Sequence, residues 1–132
     1  MMNRAILSAL VALVAVIVAG VSSPAEMESS SIAPFSQGKY LATRVAGCTD
    51  CHGANLMGAR LPFVPAPGVH IPWASRTPRI AGLPMFRRDS DAVRFLETGV
   101  MPDGSRPRPP MPAFEFKPSD AKALVAYLRS LR

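Results

Sequence analysis

The chain is 132 residues long and carries 15 Lys+Arg against 9 Asp+Glu, a formal net charge of +6. That excess is modest and is not interleaved with aromatic residues, which excludes a nucleic-acid-binding role. No internal repeat is present, so the length accounts for one domain rather than an array.

In chain order, the first segment is MMNRAILSALVALVAVIVAGVSSPA. One positive charge, Arg4, precedes an uncharged run from Ala5 to Val21, and Ser23-Pro24-Ala25 has the small-x-small form of a cleavage site. Residues 1–25 therefore read as a secretory signal peptide. A retained anchor is the alternative, but 17 helical residues at about 1.5 Å each fall short of a bilayer core of about 30 Å. Either outcome exports the rest of the chain. Residues 26–34 are polar and low in bulk, and read as a flexible lead-in.

A helix is expected from about Ser36 to Gly47. Leu41, Val45 and Cys48 fall at i, i+4 and i+7 and form its apolar stripe. Tyr40, like Tyr127 later, is expected to pack in the core. The helix runs into GCTDCHG, which holds both cysteines of the chain, Cys48 and Cys51, with His52 directly after them. A zinc site needs four ligands, usually in two separated pairs, and only His70 remains elsewhere to help. A redox dithiol would open a helix in a βαβ setting, which is not seen here. A disulfide across two residues closes a loop too small to stabilise a fold. C-x-x-C-H is instead the spacing at which two thiols add across the vinyl groups of one haem while the histidine ligates its iron. Covalent haem is the favoured reading, with a redox dithiol and a metal site as the alternatives.

Twelve of the fourteen prolines lie between Pro62 and Pro118. They accompany apolar residues, as in LPFVPAPGVHIPW and PPMPAFEF, which suggests loops wrapped on a flat apolar object rather than disorder. In this region His70 reads as a loop histidine, and Met57 and Met85 as cavity fillers. Trp73 is placed either to hydrogen-bond a haem propionate or to cover the haem edge. A second helix is expected from Ser90 to Thr98, capped by Ser90 or Asp89, ended by Gly99, and with Val93 and Leu96 inward. Met101 lies in a turn signal, VMPDG. Met111 lies in RPPMPAF, where flanking prolines exclude helix and hold an extended strip that offers a flexible thioether. The final helix is expected after Pro118 with Ser119 as N-cap, its stripe being Ala121, Leu124, Val125, Leu128 and Leu131.

The stretches GKYLATRVAGCTDCHGANLMG, TPRIAGLP, LETGVMPDGSRPRPPMPAF and SDAKALVAYLRSL resemble small bacterial mono-haem c-type cytochromes, in particular the cytochrome c domains that accompany periplasmic dehydrogenases. The resemblance runs from about Phe35 to the C-terminus, so 35–132 is taken as the cytochrome domain. It implies an all-α, cytochrome c-like fold in which three main helices and proline-rich loops enclose one covalent haem c. It also implies that Gly38 and an aromatic neighbour cross against the last helix. Met111 matches the proline-flanked axial methionine of the family, with Met101 its nearest competitor. Pro78 matches the proline whose carbonyl accepts the ring N–H of the axial histidine. Ile80 stands where the family usually has a leucine against the haem. The expected site is therefore Cys48 and Cys51 on the haem, His52 and Met111 on the iron, and Pro78 and Ile80 in support.

The function implied is that of an exported, periplasmic one-electron carrier between a dehydrogenase and the respiratory chain. Its partners would be redox proteins: a dehydrogenase, an oxidase or another cytochrome. Contact with the membrane is expected only if the N-terminal segment is retained. With both axial positions filled the chain would not be an enzyme. The alternative is a haem enzyme or a gas or peroxide sensor with an open or weakly held sixth position. Removing Arg4 with the leader leaves +5, and two propionates bring this to about +3. Arg76, Arg79, Arg87, Arg88, Arg94, Arg106 and Arg108 dominate the excess, and serve either to steer an acidic partner or to neutralise propionates and aid solubility.

Overall fold

The chain is already helical at residue 34, where the computed structural model begins its description; it describes residues 34–132. The expected leader, and nearly all of the lead-in, lie outside the described residues. Helix α1 covers 34–45 and changes character within its length. Residues 34–40 are α-helical, and Leu41–Val45 form a π turn closed by the Ala46 N–H on Leu41 O at 2.8 Å. A short helix α2, Cys48–His52, follows Gly47. Helices α3, Asp89–Thr98, and α4, Pro118–Ser130, pack together. Everything between α2 and α3, and between α3 and α4, is loop. The described β pairing is a single antiparallel bridge, Arg60 to Arg76.

The helices form for the reasons the apolar spacing suggests. In α4, Ala121, Leu124, Val125 and Leu128 are buried and Leu131 packs at the edge of the core. In α3, Leu96 is buried as expected and Val93 partly so, but Ala92 and Phe95 bury more deeply than Val93. Gly99 ends α3, its N–H bonding Phe95 O at 2.7 Å. The N-termini differ from expectation. Arg88 precedes α3, and no side chain caps it; Arg88 instead forks onto Asp91 at 3.0 and 3.2 Å. Pro118, not Ser119, opens α4. Its fixed φ suits the first helical position and its missing N–H has no partner to lose there.

The largest correction falls in α1. Val45 is 54% exposed, because the π turn fits an extra residue into the helix and rotates Val45 off the buried stripe. Leu41 and Ala42 are buried instead. Tyr40 is 59% exposed and takes no part in the core. The aromatic that meets α4 is Phe35, edge-on to the buried Tyr127 with ring centroids 5.5 Å apart. Gly38 is buried at the α1–α4 crossing. A Cβ there would strike the Ala123 carbonyl and stand 2.7 Å from Tyr127 Cβ, so the helices approach to a distance only glycine permits.

Two loop devices hold the remaining chain. Leu56, almost fully buried, sits at φ 60 because its carbonyl receives both the Ile80 and Ala81 N–H groups, at 2.9 and 3.0 Å. Arg129 of α4 reaches the carbonyls of Gly82, Leu83 and Phe86 at 2.8, 3.2 and 2.7 Å, and pairs with Asp89 at 2.7 Å. It thereby ties the 82–86 loop to both α3 and α4.

Candidate functional site

Between these helices and loops lies a cavity of about 450 Å³. Its walls are mainly apolar. Leu83 and Phe86 come from the 82–86 loop, Phe95 and Leu96 from α3, and Leu124 and Leu128 from α4. All six residues expected at the site, Cys48, Cys51, His52, Pro78, Ile80 and Met111, line this one cavity.

The cysteine–histidine segment is presented by α2. Gly47 adopts a left-handed conformation, φ 60, and turns the chain from α1 into this short helix. His52 at its end is 5% exposed. Its Nδ1 lies 2.8 Å from Pro78 O. A carbonyl only accepts, so Nδ1 carries the proton and Nε2 keeps a bare lone pair. Nε2 is buried and has no hydrogen-bond partner. A buried nitrogen left in this state beside an apolar cavity is a ligand in search of a metal.

The Pro78 carbonyl is itself held. Thr77 donates to Cys51 O at 2.8 Å and accepts the Ala59 N–H at 3.0 Å, joining the Pro78 segment to the end of α2. Gly58 permits this approach: it has φ +90, and a Cβ there would stand 2.7 Å from Thr77 O. Its N–H also bonds His52 O at 2.9 Å. Thr77 was invisible to spacing, since its partner lies 26 residues away.

The two cysteines are unpaired, and burial pushes the Cys48 thiol up to about 11. A reactive redox dithiol needs the opposite shift, toward the thiolate. A neutral thioether suffers no such penalty. Among the described residues no group of three or more His, Cys, Asp or Glu side chains converges as a metal site would require. The remaining reading of C-x-x-C-H is covalent haem, and the site suits it: two thiols at the wall, an imidazole with a free Nε2, and an apolar cavity.

A family model for cytochrome c matches residues 35–132. The chain belongs to the cytochrome c family. Neither among curated proteins nor among solved structures does any protein match it significantly. This cytochrome carries covalently bound haem c, attached at the Cys48–Cys51 pair, in the all-α fold described above, and haem-based electron transfer to redox partners is the chemistry that goes with it.

Other expected residues are sorted by the cavity. Met101 and Met85 line it along with Met111. Met57 is exposed and fills no cavity. His70 is exposed and stands outside the lining. Trp73 also lies outside the wall, with its ring edge-on to Phe63 at 6.3 Å and its Nε1 buried without a partner. Three exposed arginines, Arg76, Arg106 and Arg108, do reach the lining. They supply positive charge where ionised propionates would leave the apolar interior.

Proposed function

We propose that this cytochrome is a periplasmic one-electron carrier whose haem iron is held between His52 and Met111. The observation that carries the reading is the fixed tautomer of His52, whose free Nε2 belongs to the same cavity that Met111 lines. Bound haem supplies an Fe(III)/Fe(II) couple. The Pro78 carbonyl orients the imidazole and raises its basicity. Met111 stands in a strip in which Pro107, Arg108, Pro110 and Pro112 also face the cavity, so the backbone there is stiff and close. Both methionines sit in hydrogen-bonded turns: Met101 N–H bonds Ser105 O at 2.8 Å and its carbonyl receives the Gly104 N–H at 2.9 Å, while Met111, expected in an extended strip, ends a turn with its N–H on Arg108 O at 3.2 Å. Thioether ligation and apolar burial both favour the ferrous state and raise the potential.

The donor is taken to be a dehydrogenase and the acceptor a respiratory-chain component, on the resemblance of the quoted stretches to domains of that kind. Export rests on the leader-like residues 1–25. With both axial positions occupied the iron has no place for substrate, and the role is carriage rather than catalysis.

The test is optical. Oxidised protein should show the weak far-red band of sulfur-ligated low-spin haem. Met111→Ala should abolish it and let the ferrous protein bind carbon monoxide, while Met101→Ala should do neither. The reverse pattern would transfer the ligand to Met101. A high-spin wild-type spectrum would sink the carrier reading in favour of an open-site haem protein.

A further inference from the structure

We propose that the loop 61–75 is the docking surface for an acidic redox protein, a reading that rests on the electron-carrier function above. This loop contains no Asp, Glu, Lys or Arg. It exposes Phe63, Val64, Val69 and Ile71, with Val64 79% accessible. Pro62, Pro65, Pro67 and Pro72 stiffen it, so these apolar side chains are offered on a backbone with little freedom left to lose on binding.

The base of the loop is cationic. Leu61 N–H bonds Ser75 O at 2.9 Å and Thr77 N–H bonds Ala59 O at 2.8 Å, which makes Arg60 and Arg76 the facing pair between them. Facing residues of this non-hydrogen-bonded kind bring their side chains closest, and like charges so placed oppose the fold. Arg76 reaches the cavity wall; Arg60 does not. Among the described residues no ion pair or side-chain hydrogen bond involves Arg60. No acidic residue occurs from Cys51 to Arg88, a stretch that holds five arginines. With Arg76 turned to the cavity and its propionates, Arg60 is the cation at the foot of this loop that no carboxylate pairs with among the described residues.

An apolar centre with a cationic margin matches a partner that has an apolar patch ringed by carboxylates. The position is right for electron exchange. Leu61, Ala74 and Arg76, at the two ends of the loop, line the haem cavity, so a protein seated on the loop lies against the cavity rim. Long-range attraction by the arginines would speed the encounter, and the apolar residues would hold a brief complex.

The experiment follows reduction of the oxidised holoprotein by stopped flow, with an acidic flavodoxin hydroquinone as protein donor and ascorbate as small donor. Val64→Ser with Ile71→Ser should lower the flavodoxin rate constant about tenfold. Arg60→Gln should lower it several-fold at low ionic strength, with the difference vanishing in high salt. Neither variant should alter the ascorbate rate. Unchanged flavodoxin rates in both variants would overturn the proposal. So would a flavodoxin rate that stays constant while the serine variant loses binding to phosphatidylglycerol vesicles, or loses a dimer seen by sedimentation; the loop would then serve a membrane or a second copy. Wild-type protein that neither donor reduces would sink the electron-carrier reading itself, and the docking surface with it.

Discussion

Met111 is where a single side chain has the most to decide. Replacing its thioether by imidazole, Met111→His, should keep the iron low-spin but remove the sulfur that stabilises Fe(II). For a one-electron couple about 59 mV is a tenfold change in equilibrium constant. The exchange should lower the midpoint by several such steps in a potentiometric titration, and an unchanged midpoint would mean that Met111 is not on the iron. At this scale the sequence was read well where chemistry is local. Cys48, Cys51 and His52 are adjacent, so their spacing alone carries the attachment chemistry. Pro78 came only through resemblance. Thr77 could not be found, because its bonds to Cys51 and Ala59 span 26 and 18 residues and nothing in TPRIAGLP marks a hydroxyl as structural.

Helix contacts make the sharpest stability predictions. Gly38→Ala gains about 1 kcal/mol of helix propensity, yet its methyl group has no room against the α4 backbone. A net loss of about 3 kcal/mol is expected from a denaturant midpoint, since backbone cannot yield as a side chain can. Arg129→Met should cost about 2 kcal/mol, because it frees the carbonyls of Gly82, Leu83 and Phe86. Asp89→Asn should cost less than about 1 kcal/mol, its carboxylate being largely exposed. Equal losses in the two variants would show that the ion pair, not the carbonyl clamp, is what matters. The 3.6-residue period revealed α4 and most of α3. It misplaced Val45 because it assumes one helical geometry throughout, and α1 changes geometry at Leu41. It could not show the Arg129 clamp, whose farthest partner is 47 residues distant.

For the molecule as a whole, the cavity dominates the energetics. The cleft of about 450 Å³ is lined mainly by apolar side chains, and when empty it leaves them without packing partners. The chain is therefore expected to need haem to fold, since a domain of this size with so much loop has a thin core without it. A Cys48→Ala/Cys51→Ala chain prepared without haem should lack a near-ultraviolet dichroism spectrum and a cooperative thermal transition. A haem-free chain that melted cooperatively with native near-ultraviolet signals would contradict this. That expectation comes from the many prolines set among apolar residues, which read as loops needing something flat to enclose. The way the walls are assembled, from α3, α4 and a loop clamped by Arg129, depends on contacts between distant segments and was not.

The π turn in α1 has a consequence for chain length. Gly38 fixes one end of this stretch against α4, and Cys48 fixes the other against the haem cavity. Each residue of an α-helix advances the chain by about 100° of rotation. The number of residues between the two points, rather than their identity, therefore sets the angle at which the haem-bearing segment meets the helix crossing. Deleting Arg44 would leave every residue that touches haem or α4 in place, restore a regular helix across Leu41–Val45, and turn C-x-x-C-H out of phase with the crossing that supports it. The widened turn works as a phase adjuster, and a single-codon deletion on the exposed side of α1 should be as damaging to haem incorporation as the loss of a ligand.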